Sequence, residues 1–267
     1  MRVTHNESMN SASRSLLLAS AFLFSLPAFC ADDLRIGVGY EFSQGDYGQT
    51  IDTKQHSIPM SLNWQQDSWH LQASSTYISS SGPDNLVSIE NNVSTSSGNP
   101  NQQRHDAGLG DTTLTVRKEL DWGANQGIYV DLSSSVRLST ASSSSNILKR
   151  DEDYSLVLDA YTVQGRWLPF MSVGYKWLGD GDNFTPRNIW LASLGAQYQL
   201  ANQCYLGAIA DYQQAVTSSS APLKEAFAYF GCPLSAQWLI SPYVLAGFSD
   251  SSVDYGLGVQ LVWYPLR

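Results

Sequence analysis

After residue 33, apolar and polar residues take turns along nearly the whole chain. Leu34, Ile36, Val38, Tyr40 and Phe42 are separated by Arg35, Gly37, Gly39 and Glu41, and Ile58, Met60, Leu62 and Trp64 by Pro59, Ser61 and Asn63. Successive side chains of a strand point to opposite faces, so a period of two builds one apolar and one polar face. In a soluble sheet a second layer must cover the apolar face. No segment here carries the helical period that would supply it, so the apolar face is expected to meet hydrocarbon and the polar face to line an enclosed interior.

Twelve stretches carry the pattern, near 34–44, 54–65, 68–80, 108–121, 128–139, 152–163, 167–178, 188–200, 203–215, 224–234, 238–249 and 254–265. Their lengths suit tilted strands that cross a hydrocarbon layer, which takes about 9–11 residues. Short connectors (Gln66-Asp67, Gly123 to Gly127, Gly165-Arg166, Ala201-Asn202, Ser235-Ala236) alternate with longer ones. The expected fold is all-β: a transmembrane antiparallel up-and-down β-barrel of about twelve strands, with both termini at the short-turn end. Segment 81–107, rich in Ser, Asn, Gly and Pro, reads as a solvated loop rather than a folded plug. Trp64, Trp69, Trp122, Trp167, Trp238 and Trp263 collect at the short-turn ends, while Trp177 and Trp190 flank one long connector. That placement fits two aromatic girdles at membrane interfaces.

Charged residues are only 15% of the chain, against roughly 25% in soluble domains. Residues 1–31 carry Arg2 and Arg14, an apolar run from Leu16 to Leu26, and Pro27-Ala28-Phe29-Cys30-Ala31. They read as a secretory signal peptide, cleaved with either Ala28 and Cys30 or Phe29 and Ala31 at the recognition positions. The barrel would then occupy 32–267, exported to the outer membrane of a Gram-negative bacterium. Removing Arg2, Arg14 and Glu7 makes the chain more acidic than its formal net charge of -9. Such acidity excludes nucleic acid as a partner and favours neutral or cationic solutes.

The polar face supplies candidates for a lumen or solute pathway: Arg35, Glu41, Asp111, Arg117, Asp131, Arg137, Asp159, Lys176, Asp211 and Glu225, with His70, Glu119 and Asp153 beside them. Folding 108–121 onto 128–139 about their short turn sets Asp111 opposite Arg137 and Arg117 opposite Asp131, while Asp211 faces Glu225. Opposite charges across strands pin register; the like-charge pair requires water, a cation or a proton. Cys204 and Cys232 fall face to face in the same later hairpin, a disulfide candidate in an oxidising compartment. No nucleophile or metal motif is present, and Asp180-Gly181-Asp182-Asn183 reads as a turn. No cofactor is expected. A barrel enzyme would need His56 or His105 with an acid and a nucleophile at the rim or on the lipid face.

Three segments are similar to those of a known family. Gly108-Leu109-Gly110-Asp111-Thr112-Thr113-Leu114, Val173-Gly174-Tyr175-Lys176-Trp177-Leu178-Gly179-Asp180 and Ser249 to Val259, containing Asp254-Tyr255-Gly256-Leu257-Gly258, resemble segments of outer-membrane transporters named after the MetA pathway of phenol degradation. The resemblance implies a barrel of about twelve strands that passes small, often aromatic or apolar, compounds, and it brings no catalytic residues. The expected function is therefore a passive channel, with outer-membrane lipid, the permeant and the barrel-assembly machinery as partners. A lipid- or peptide-hydrolysing barrel and an adhesive barrel with a binding loop are the alternatives. The last strand ends in Trp263-Tyr264-Pro265-Leu266-Arg267 rather than on the terminal aromatic usual in assembly signals.

Overall fold

The computed structural model describes residues 32–84, 86–89, 92–95, 101–120, 122–123, 126–142, 150–181, 186–218 and 220–266. The expected signal peptide, and Asp182 and Asn183 of the proposed turn, lie outside these residues. The strands are β1 (Asp32–Gly45), β2 (Thr53–Gln66), β3 (Trp69–Pro83), β4 (Leu86–Ile89), β5 (Asn92–Thr95), β6 (Gln103–Leu109), β7 (Thr112–Leu120) and β8 (Ile128–Leu138). They continue with β9 (Asp153–Thr162), β10 (Trp167–Trp177), β11 (Ile189–Gln199), β12 (Tyr205–Gln213), β13 (Leu223–Pro233), β14 (Trp238–Gly247) and β15 (Tyr255–Trp263).

β1–β3 and β7–β15 pair antiparallel in chain order, with β3 paired to β7, and β1 closes the ring on β15 with Phe42 opposite Leu257. β6 and β7 are two lengths of one stave, both paired to β3, so the wall is a closed antiparallel barrel of twelve staves. Between the two lengths the register with β3 slips by one residue, from Tyr77 opposite Leu109 to Ser74 opposite Thr113. This is a bulge at Gly110-Asp111, where the Gly110 amide still donates to the Thr76 carbonyl at 2.8 Å.

The described residues of segment 81–107 are largely strand rather than loop. β3 continues past the rim to Pro83, β6 pairs with this extension from Gln103 onward, and β4 and β5 form a hairpin between them. Loop-like residues form strand here because the backbone groups of the protruding β3 need partners, and a returning strand supplies them whatever side chains it carries.

The faces divide as the alternation requires. Ile36, Val38 and Tyr40 are 39%, 45% and 44% exposed, while Arg35 between the same strand's outward residues is 7% exposed. On β2, Ile58, Met60 and Leu62 point out and Ser57 and Ser61 are enclosed. Trp69, Trp122, Trp167, Trp238 and Trp263 stand exposed around the short-turn rim, with Trp177 and Trp190 at the long-loop rim. Within these bands Trp238 stacks on Trp263, Tyr175 meets both Trp177 and Trp190 edge-on, and the Lys118 ammonium sits over Trp69. An apolar belt bounded by two aromatic rings is the surface a hydrocarbon layer accommodates.

Candidate functional site: a lopsided lumen

The interior is not uniformly polar. On the β9–β15 side it holds a packed apolar core of Tyr161, Phe170, Tyr205, Ile209, Phe227 and Tyr229, continued by Leu239, Leu245, Val262 and Tyr264. Several of these rings lie flat because glycine is their cross-strand partner. Phe170 faces Gly195, where an added Cβ would come 2.1 Å from the ring, and Tyr229 faces Gly207, where it would come 2.2 Å from the hydroxyl. Outside the same wall, small Ala196, Ala208, Ala210, Ala226, Ala228 and Ala246 leave a groove of about 760 Å³. The sequence does carry this signal: on β12 and β13 large and small apolar residues alternate, rather than apolar and polar ones.

The opposite wall, β1–β3 with β7 and β8, is lined by hydroxyls and amides. Ser57, Ser61, Ser74, Thr115, Ser133 and Ser135 are enclosed, whereas Gln55, Asn63, Gln65, Gln72 and Thr76 are half-buried. Inward side chains of this wall are thus less enclosed than the packed residues of β9–β15.

Charged groups occupy three levels. At the long-loop rim Arg137 binds Asp111 and Asp153, each at 2.6 Å, and also reaches the Asp151 carbonyl. Arg150 meets Asp153 at 3.0 Å, and the Gly179 amide donates to the same carboxylate at 2.7 Å. Asp153 thus ties three segments at the mouth together. Lys176 is buried nearby, in register with Ser155 and Ile189.

Toward the short-turn end, Arg35 binds Asp33 at 2.9 Å and Gln65 at 2.7 Å, and His70 meets Glu119 at 2.6 Å. Arg117 approaches Asp131 only to 3.8 Å, and Ser172 donates to Asp159. The expected register of this hairpin is corrected: Arg117 faces Ser133, Glu119 faces Asp131 and Thr113 faces Arg137. The turn takes up two more residues than expected, since Gly123 and Gly127 adopt φ of 85° and 73° and the Gln126 amide donates back to the Gly123 carbonyl. A shift of two preserves the faces, so both arginines still reach their aspartates on the diagonal.

The third level is acidic. Asp211 and Glu225 are direct cross-strand partners, as the sequence places them, and Glu41 accepts a hydrogen bond of 2.6 Å from Tyr243. Outside the strands, Tyr47 has its phenol held well above the ordinary value, first by burial and then by the negative charge of Glu225, Asp254 and Glu41. Asp254 is likewise raised, by desolvation and then by Asp46. Carboxylates thus cluster on the β1, β12–β13 and β15 side of the mouth.

Cys204 and Cys232 form a disulfide, with Cα atoms 4.2 Å apart, one step beyond the Tyr205–Gly231 pair at the short-turn end. His56 lies on the outer wall, in contact with Tyr40 at 2.7 Å and in register with Phe42 and Ser79. His105 is exposed on β6 opposite Ser81. Neither histidine bonds a carboxylate among the described residues.

No family model matches the chain, and no curated protein does either, so the resemblance drawn from the three glycine-rich segments stands on those segments alone. Solved structures do share the fold. A KdgM porin superposes with a TM-score of 0.51 at 12% identity, over 86% of this chain and 99% of that one. A CymD monoaromatic hydrocarbon channel gives 0.44 at 12% identity, over 88% of each chain. The outer-membrane phospholipase A of Escherichia coli gives 0.42 at 13% identity, over 85% of this chain and 89% of that one. At 12% identity the likeness to the KdgM porin is one of architecture, an outer-membrane type of β-barrel.

Proposed function

We propose that the chain is a passive outer-membrane channel, exported by its first 31 residues, inserted by the barrel-assembly machinery, and open to small solutes along one side of its lumen. The observation that carries this reading is the inversion of the molecule. Apolar side chains cover the outside, while the enclosed wall of β1–β3, β7 and β8 presents hydroxyls, amides and ion pairs. Buried polar groups are costly unless something bonds them. On that wall the inward Gln55, Asn63, Gln65, Gln72 and Thr76 are only half-buried, so water can reach them, which supports a hydrated route.

Arg35, Arg117, Asp131 and Asp159 would line the inner part of that route, with Glu41, Asp211 and Glu225 near its mouth and Asp111, Arg137 and Lys176 holding the rim. Packing on the β9–β15 side keeps the passage narrow, and the carboxylates at the mouth disfavour anions. Small neutral compounds, the aromatic ones implied by the family resemblance among them, are the solutes this arrangement suits.

The test is reconstitution. Purified protein, shown to be folded by its heat-dependent gel migration, is placed in liposomes, and swelling is followed in uncharged solutes of increasing size. Faster swelling for the smallest solutes with a sharp size limit is expected. A folded barrel that gives no more swelling than empty liposomes refutes the channel.

A further inference from the structure

Among the described residues, the outward positions of β10–β15 hold a single charged side chain, Lys224 on β13. It is exposed, lies opposite outward Tyr212, and makes no ion pair with any described residue. Two residues below it on the same face begins the outer groove of about 760 Å³. Ala226 there pairs with Ala210 and Ala246, and Ala228 pairs with Ala208 and Val244. Leu194 and Val244, 66% and 56% exposed, stand on either side of these alanines. The next outward pair below, Phe230 and Leu206, is large again.

The groove has a direction and a length. Above Tyr212, the Gln214 amide bonds the Trp190 carbonyl, which puts Lys224 at the long-loop aromatic band. From Lys224 to Phe230 the strand descends about 16 Å along the membrane normal, at 3.4 Å per residue and a tilt near 40°. Half of an apolar band about 25 Å tall is about 12 Å. The groove therefore opens at the long-loop interface and ends near the midplane, the depth of one leaflet.

These features select the occupant. An apolar groove within hydrocarbon is filled by chains rather than by water. The lysine at its open end lies at headgroup level, where an ammonium attracts an anionic lipid. A second copy of this chain would fill the groove without answering the lysine. A two-fold axis along the membrane normal keeps each residue at one depth, so the two Lys224 ammoniums would meet at the same level.

We propose that the groove and Lys224 form a binding site for one anionic, phosphate-bearing lipid of the long-loop leaflet. A chain lies over the alanines and the headgroup phosphate sits at the Lys224 ammonium. The site requires the membrane barrel but not conduction, so it stands or falls separately from the channel.

Native mass spectrometry of the folded protein, released from detergent micelles, counts bound lipid as phosphatidylglycerol or zwitterionic phosphatidylcholine with the same chains is titrated. Wild type is expected to retain one phosphatidylglycerol at a concentration about 5-fold or more below that for phosphatidylcholine. Lys224→Gln should bring the two lipids to the same level. Lys54→Gln, which alters an exposed lysine at the same rim outside the groove, should change nothing. Ala210→Leu/Ala228→Leu fills the groove from the lipid side and should weaken phosphatidylglycerol retention about 10-fold or more. Heat-dependent gel migration checks that each variant is folded, and Lys224→Gln decides alone if the filled barrel is not. Equal retention of the two lipids by wild type, or retention unchanged by filling the groove, overturns the proposal. A dimer that disappears on filling assigns the groove to a second copy and overturns it as well.

Discussion

Met60→Arg is the sharpest test of which face meets hydrocarbon. Met60 is 38% exposed on the outer wall, with outward Val38 and Ser75 as its cross-strand partners. It lies four residues from Trp64, at the short-turn aromatic band. At 3.4 Å per residue and a tilt near 40°, that places it about 10 Å inside the interface, close to the midplane of a band about 25 Å tall. An arginine there should destabilise the barrel by about 2–4 kcal/mol. Ser61, the next residue, is 6% exposed and faces the lumen between small partners, Gly37 and Ser74. Ser61→Arg keeps its charge on the polar inner face, beside Asn63, and should cost clearly less than Met60→Arg. Urea titration in lipid vesicles, followed by tryptophan fluorescence, measures both. Equal costs, or a larger one for Ser61→Arg, would refute the assignment of faces and with it the membrane-spanning barrel.

Two further outcomes follow from particular contacts. Asp153→Ala removes the carboxylate shared by Arg137, Arg150 and the Gly179 amide; stability should fall by about 3–5 kcal/mol in the same titration, with increased protease cleavage in the loops it ties. Reducing the Cys204–Cys232 bond, or replacing both cysteines by serine, releases a loop of 28 residues and should cost roughly 3–4 kcal/mol while leaving the β-sheet circular dichroism unchanged.

The barrel was legible because its signal is local and repeated. Each stave declares its faces by parity alone, and the Asp211–Glu225 and Cys204–Cys232 partners follow from counting outward from one hairpin. Counting failed for β7 and β8, where the two glycines with positive φ let the turn absorb extra residues. The β6–β7 bulge and the strands beyond the rim were hidden for another reason: backbone pairing produced them, and polar loop-like side chains do not record it. The apolar core was concealed by a rule that divides residues into polar and apolar. On β13, Phe227 and Tyr229 point in and Ala226 and Ala228 point out, a division by size.

That division also explains how the barrel can be stable and still keep one inner wall polar. The outer wall gains little from burial in lipid that a free strand in lipid would lack, so cohesion comes from the closed hydrogen-bonded ring and from what fills it. A wholly polar filling would require every charge to be paired and desolvated, a poor source of net stability. Here the aromatic and aliphatic packing of β9–β15 supplies dry contacts, with glycines opposite the rings so that they lie along the wall. The facing wall of β1–β3, β7 and β8 is then free to carry hydroxyls, amides and the ion pairs of Arg35 and Arg117. Replacing Arg117 and Asp131 together by apolar side chains should therefore leave the barrel as stable or more so in the urea titration, because the packed side of the interior, not this ion pair, holds the fold.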